Sequence, residues 1–400
     1  MLYNHFTEKL VGLQGIEVKN IIQNKNCTEI HIQTERKVVN CPCCGAATRT
    51  IHDYRLQRVK DIPAFGKHVI LFLRKRRYRC KCGKRFFEEV TFLPRYYRMT
   101  NRLAEYILDK LREVRSYTSV AKEVNLSVTT VIRVFDNISY PKPHALPSVV
   151  SIDEFKGNTN GEKYQCILTD PKSGIVFDVL PKRYEHYLSD YFKHVKRTGV
   201  EYFISDMWRT YSQIAATYIK NAVPVVDKYH WIRQAIWAFE AVRKQEQKKF
   251  SKSHRIYFKR SKALLCKRFE FLSDEEKQQI NVMLYSSPTL SSAHFLKEQF
   301  LKILDCNNSG DAKAKMRLWI ENAEDCGIIQ FVKCAKTMRQ WSNGILNSFD
   351  CPFTNGFTEG CNNKIKVLKR NAYGFRNFTR FRNRILHIFS DRHSQKQTVA

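Results

Sequence analysis

No run of about 18 apolar residues occurs anywhere in the 400-residue chain, which excludes a membrane-spanning helix. Acid is also scarce. Only 38 Asp and Glu stand against 69 Lys and Arg, a formal charge of +31. The excess is spread along the chain rather than held in a tail, so it points to polyanions, above all nucleic acid, through phosphate contacts and counterion release. Low-complexity tracts are missing, and a hydrophobic content of 43% with 12% aromatics excludes long disorder. The opening "MLYNHFTEKLVGLQG" lacks the charged start and apolar core of a signal peptide. The 13 cysteines are therefore expected in a reducing cytosol, as free thiols or metal ligands rather than disulfides.

One local shortage is sharper. From Cys351 to Ser390 the sole carboxylate is Glu359, set against eight Lys and Arg. A solvated helix usually scatters both signs and gains from Glu–Lys pairs four residues apart; this stretch does not, so Glu359 needs a reason of its own.

Five cysteines cluster in two groups, "NCPCCGA" with Cys41, Cys43 and Cys44, and "YRCKCGKRF" with Cys80 and Cys82. Zinc knuckles pair two short Cys turns, each relaxed by a following glycine, here Gly45 and Gly83. Cys41 and Cys44 with Cys80 and Cys82 would complete a structural four-thiolate Zn2+ site, with Cys43 or His52 as substitutes for one ligand. The intervening "HVILFLRKRRYRC" alternates as a strand does. Further on, "TSVAKEVNLSVTTVIRVFDNI" reads as a helix over 119–124, a turn at Asn125-Leu126, and a second helix capped by Ser127. Its apolar face is expected at Val128, Val131, Ile132 and Phe135. Such a pair is a helix-turn-helix, and Thr129, Thr130 and Arg133 are its groove-facing candidates. Three prolines in "YPKPHALP" mark a linker.

Beyond the linker, "SVVSIDEFKG" is a strand running to Asp153. "YQCILTDPKSGIVFDVLPKR" follows as a hairpin turning at 170–174, and "YEHYLSDYFKHVKR" as an amphipathic helix. "VEYFISD" ends at Asp206 before a helix over 207–219, and "AVPVVD" ends at Asp227 before a long helix. The order is that of an RNase H-like core, three antiparallel strands and then two parallel ones reached by helical crossovers. Asp206 and Asp227 each precede a helix they could simply cap, whereas Asp153 has none. Lys228 to about Asn347 reads as a helical insertion, broken at "LYSSPTLSSAHF", with Trp319 and Trp341 as packing residues. Two aspartates on neighbouring strands plus Glu359 from a later helix could hold two Mg2+ or Mn2+ ions for phosphodiester chemistry, and the surrounding Lys and Arg would hold the phosphates.

The knuckle, the helix-turn-helix, "SIDEFKG", "ISDMWRTY", "VVDKYHWIRQA" and above all "TNGFTEGCNNKIKVLKRNAYGFRNFTRFRNRIL" together resemble the DD(E) transposases of the ISL-three family of bacterial insertion sequences. The resemblance covers nearly the whole chain. It implies Asp153, Asp206 and Glu359 as the catalytic acids, preferring Asp206 to Asp227, and it places a family histidine at His230. The implied fold is an α/β RNase H-like catalytic core with an α-helical insertion, preceded by a small zinc-knuckle domain and a helix-turn-helix. Its domains would be 1–95 for zinc, 96–140 for the helix-turn-helix, 141–147 as linker, 148–390 for catalysis (insertion about 250–345) and 391–400 as tail. The implied partners are double-stranded DNA, as terminal inverted repeats and target, and a second copy in a homodimer or larger assembly on DNA, without a membrane. Lys364, Lys366, Lys369 and Arg370 become phosphate contacts, and the setting is a bacterial cytoplasm with its nucleoid. A DNA-binding regulator with a dead core, or a nuclease or resolvase of the same fold, are the rival functions.

Overall fold

In the computed structural model, which describes residues 8–390, the chain divides into two compact units; the 391–400 tail lies outside the described residues. The first unit takes residues 8–140 together with 365–390, the second takes 141–364.

Seven strands open the first unit: β1 (Ile16–Gln23), β2 (Cys27–Thr34), β3 (Val39–Asn40), β4 (Ala47–Thr48), β5 (Ile51–Ala64), β6 (Lys67–Arg79) and β7 (Arg85–Phe87). The main sheet runs β1-β2-β6-β5, with β7 added to β6. Its core is aliphatic, with Ile30, Ile32, Val59, Leu71 and Leu73 facing one another on alternate positions. The domain is thus a five-stranded sheet carrying the cysteine turns, larger than a bare knuckle.

A buried ion pair ties the sheet together. Arg76 Nη1 lies 3.2 Å from Glu88 Oε2, whose other oxygen accepts the Arg76 backbone N–H at 2.8 Å, while Thr34 donates to Oε2 at 2.8 Å. Removing one member strands the other in a low-dielectric interior. Glu88→Ala is expected to lower unfolding free energy by about 3–5 kcal/mol, read as a drop in urea midpoint.

Three helices follow, Asn101–Lys110, Tyr117–Glu123 and Val128–Asp136. Each begins on a hydroxyl cap: Thr100, Ser116 and Ser127 accept the backbone N–H of Leu103, Ser119 and Thr130. Asn125 makes the turn with φ +49°. The third helix buries Val131, Val134 and Phe135; Val134, not the expected Ile132, completes that face. Asp61 of β5 accepts from the Thr100 hydroxyl and pairs with Arg102, joining the first helix to the sheet.

The helix Phe378–Phe389 packs within this unit. Its inward face is polar as well as apolar. Arg384 donates to the carbonyls of Glu113 and Arg115, and Arg380 pairs with Asp136 at 2.7 Å. His387 is fully buried, with Nδ1 2.7 Å from the Tyr140 hydroxyl and Nε2 2.7 Å from the Leu108 carbonyl. Burial lowers its pKa to about 4 from 6.5. The folded state therefore binds fewer protons than the unfolded one. The stability contribution of neutral His387 is complete above pH 6.5 and drains away as pH falls toward 4. Unfolding free energy should fall by about 2 kcal/mol between pH 7 and pH 5 through this group. Urea titrations of wild type and His387→Gln at both pH values check it: the variant should lose that part of the slope.

The second unit is built on β8 (Val149–Thr159), β9 (Glu162–Asp170), β10 (Ile175–Leu180), β11 (Tyr202–Ser205) and β12 (Val223–Val226), in the order β10-β9-β8-β11-β12. β8, β9 and β10 are antiparallel; β8, β11 and β12 are parallel. The hairpin turns at Gly174 (φ +66°) as expected. The crossover helices Glu185–His194 and Arg209–Tyr218 pack Leu188, Phe192, Tyr211 and Ile214 against Val150, Ile152, Leu168 and Phe203.

From the long helix Lys228–Gln247 the chain continues through seven helices to Asp350, around a second core that includes Trp231, Phe300, Trp319 and Phe331. Trp319 is buried with its indole N–H on the Leu296 carbonyl, and Trp341 packs against the same cluster. The expected break near 284–295 is only two residues wide. Ser287 caps a new helix that starts on Pro288, a position where proline's missing N–H costs nothing. The chain returns to the sheet where Cys351 joins Val149, Ile204 and Val225, and then forms the helix Gly356–Asn371.

Candidate metal centres and nucleic-acid interface

Two turns build the first centre. At each the backbone doubles back, with Gly45 N–H on the Cys41 carbonyl and Gly83 N–H on that of Cys80, both glycines at positive φ (+72° and +86°). The sulfurs of Cys41, Cys44, Cys80 and Cys82 lie within 4.8 Å of one another, the only such group of His, Cys, Asp or Glu among the described residues. Cys43 and His52 stay outside it. Four thiolates at this spacing suit tetrahedral Zn2+ and leave no open position, so the site is structural.

In the helix-turn-helix, Thr129 and Arg133 are exposed and Thr130 half-buried on the helix Val128–Asp136. Both threonine hydroxyls lie within hydrogen-bond reach of Ser127 Oγ, 3.0 and 2.8 Å away, whereas Arg133 extends from the exposed face.

The second centre is a row of acids across the sheet. Ile204 of β11 pairs with Ser151 of β8, and Ser205 with Val226 of β12. Carried forward along the strands, that register sets Asp206 beside both Asp153 and Asp227. Neighbouring strands lie about 4.8 Å apart, so the three aspartates line up where the parallel pairing ends. Asp206 and Asp227 lie just past β11 and β12, and Asp153 lies within β8, which runs on to Thr159 rather than stopping at Asp153.

The helix Gly356–Asn371, which carries Glu359 near enough for its charge to act on Asp153 and Asp227, docks through polar groups. Ser151 Oγ donates to Asn355 Oδ1 at 2.5 Å, Thr358 Oγ1 lies 3.2 Å from Ser151 and 2.7 Å from Thr169, and Asn362 Nδ2 donates to Asp153 Oδ2 at 2.8 Å. Thr358 and Asn362 of the helix, and Asn355 just before it, are buried. Sequence reasoning passed over them, although polar residues spaced three and four apart on one helix face were the available signal.

Electrostatics reflects the crowding. Burial raises the Asp153 carboxyl above its ordinary range; the nearby charges of Asp227 and Glu359 add to this, and His230 opposes it. Burial likewise pushes Asp206 up to about 6, with His230 opposing and Glu154 and Asp153 adding. Asp227 is raised by burial and by Glu359, again against His230, whose Nε2 lies 3.7 Å from Asp227 Oδ2.

Asp227 does stand at the N-cap of its helix, but no cap hydrogen bond forms from its side chain. Asp206 lies two residues ahead of the cap and accepts the Trp208 N–H at 3.2 Å. A fifth carboxylate, Glu154, is held elsewhere, with Arg183 at 2.7 Å on one oxygen and the Tyr211 hydroxyl at 3.4 Å on the other.

Two buried acceptors at the site, Asp227 Oδ2 and Asn362 Oδ1, have no hydrogen-bond donor. Clustered acids and donorless oxygens are what a hard divalent cation satisfies. Along the same helix Lys364, Lys366 and Arg370 are exposed and Lys369 is half-buried. No helix among the described residues is long and apolar enough to cross a membrane.

Comparison with known proteins agrees with this layout. A family profile described as a transposase matches residues 150–385. One for the zinc-finger of transposase IS204/IS1001/IS1096/IS1165 matches residues 37–82, and one for the helix-turn-helix domain of transposase family ISL3 matches residues 88–139. The transposase for insertion sequence element IS1001 of Bordetella parapertussis is 26% identical over 392 residues, covering 94% of this chain and 96% of its own. The transposase for insertion sequence element IS1557 of Mycobacterium tuberculosis is 29% identical over 112 residues, 28% of this chain and 25% of its own. With its zinc ribbon, helix-turn-helix and transposase domain in that order, the chain belongs to the ISL3 family of transposases.

Proposed function

We propose that the protein binds the terminal inverted repeats of an insertion sequence, cleaves DNA at the element ends and joins the freed 3′-hydroxyls to target DNA. The observation that carries this reading is the acid row, where Asp153 and Asp206 stand on adjacent parallel strands, Glu359 is delivered by a hydrogen-bonded helix, and two donorless oxygens lie beside them. The strand order supports an RNase H-like core.

Asp153, Asp206 and Glu359 would hold magnesium or manganese, which when bound activates the attacking oxygen and stabilises the leaving one. The chain's own groups do the rest. Asn362 fixes one oxygen of Asp153, and the backbone N–H of Glu154 fixes the other. Arg183 and Tyr211 keep Glu154 out of the centre. Lys364, Lys366, Lys369 and Arg370 would carry phosphates past Glu359, and Arg133 with Thr129 and Thr130 would read a major groove. Because two ends must be joined, the working form is a dimer or larger assembly on DNA.

The test is incubation of the full chain with labelled DNA carrying the element's own end. Cutting at the boundary in magnesium, followed by joining to a second duplex, is the expected result. Tight sequence-specific binding without cutting in magnesium or manganese would overturn the reading in favour of a regulator. Cutting without joining would favour a nuclease.

A further inference from the structure

The helix Lys228–Gln247 begins at the acid row and carries a stripe unlike its other faces. Tyr229 and Trp237 are 52% and 50% exposed, large values for aromatic rings. Between them lies Arg233, its guanidinium 4.0 Å from the Trp237 ring centre and 5.5 Å from that of Tyr229. Tyr229 meets His230 edge-on at 5.6 Å, and His230 Nε2 lies 3.7 Å from Asp227 Oδ2. An unbroken line of contacts therefore runs from the carboxylates to Trp237.

Charge follows the same stripe. Farther along, Lys244 and Lys248 are exposed, and neither acid of this helix is: Glu240 and Glu246 are buried, paired with Arg243 and Lys249. Aromatic planes interleaved with cations on an acid-free face suit a polyanion whose units have flat faces. Tyr229 to Trp237 spans roughly 12 Å at the rise of an α-helix, room for more than one nucleotide.

We infer that this stripe binds unpaired nucleotides of the DNA strand leaving the acid row, with bases stacked on Tyr229 and Trp237 and phosphates on Arg233, Lys244 and Lys248. The inference rests on the strand-cleavage reading above, since cutting frees a strand end beside the carboxylates. Stacking of this kind tolerates any base, so the probe need not carry the element's sequence.

The experiment compares two otherwise identical duplexes, one blunt and one ending in a short oligothymidine tail that holds a fluorescent purine analogue. Binding of the full chain is followed by anisotropy and by quenching of the analogue. Trp237→Ala and Tyr229→Ala should each weaken binding of the tailed duplex by roughly tenfold and abolish quenching, with blunt-duplex affinity and thermal midpoint unchanged. Trp237→Phe should restore both signals.

Equal affinity of wild type and Trp237→Ala for the tailed duplex, with quenching intact, would overturn the inference. So would loss of self-association in Trp237→Ala with tailed-duplex binding intact, which would make the stripe a protein interface. Magnesium-dependent cutting by wild type, measured alongside, separates failure of the stripe from failure of the cleavage reading.

Discussion

Asp206→Asn should lower magnesium-dependent cutting on the order of a hundred- to a thousandfold while making the metal-free protein more stable. Both effects have one source. The Asp206 carboxyl is held up to about 6, above its ordinary 3.8, chiefly because it is buried. Its folded pKa is raised, so the stability it contributes is present below about pH 4 and is lost as pH passes through 6. At pH 7 the ionised group therefore costs about 3 kcal/mol, a cost that asparagine removes and that a bound cation would offset. Differential scanning fluorimetry at pH 7 should show magnesium raising the midpoint of wild type, and a higher midpoint with little magnesium response in Asp206→Asn. Glu359→Gln should lose cutting similarly. Asp227→Asn, run in parallel, decides between the two strand-end aspartates. Abolished cutting in Asp227→Asn with activity retained in Asp206→Asn would reverse the assignment.

Both Asp206 and Asp227 were candidates in the sequence, but that they stand level with each other was beyond it. Three apolar runs ending in aspartate were plain to read, and so was the order of strands and helices. Order, however, does not give register: only the pairing of Ser205 with Val226 brings Asp227 level with Asp206. The helix Phe378–Phe389 shows a second limit. Its periodicity announces one buried face, but Arg384 and His387 on that face look like surface residues until the carbonyls of Glu113, Arg115 and Leu108 are in place to receive them. The hydroxyl caps and the glycines after the cysteine turns were legible because their requirements are local. The partners of Asn355, Thr358 and Asn362 were not, because they lie on strands some two hundred residues away in sequence.

Removing zinc should have the largest structural effect. Metal binding to four thiolates in isolated zinc-finger peptides contributes about 10–16 kcal/mol, and here little else holds the two turns. β3 and β4 are two residues each, and β7 is three. One zinc per chain is expected by elemental analysis, falling to none in Cys44→Ser and staying at one in Cys43→Ser and His52→Ala. Chelated protein should become sensitive to limited proteolysis within residues 36–90 while the second unit stays resistant. The aliphatic core of the first sheet should persist, because Val59, Leu71 and Leu73 lie away from the cysteines in the strands. Full resistance after complete zinc removal would mean that the turns are held by packing instead.

The helical block also bears on how such proteins diversify. The chain leaves the sheet at Asp227 and returns at Cys351, which packs against Val149, Ile204 and Val225 beside the same acid row. Gly344 sits so close to β12 that an added Cβ would lie 2.8 Å from Val226, clamping the return path. Departure and arrival are thus both anchored at the sheet, and the entropy of closing an excursion grows only slowly with its length. Glu359 should therefore keep its place through changes in the length of the block, provided that the helices burying Val226 and Trp231 are retained.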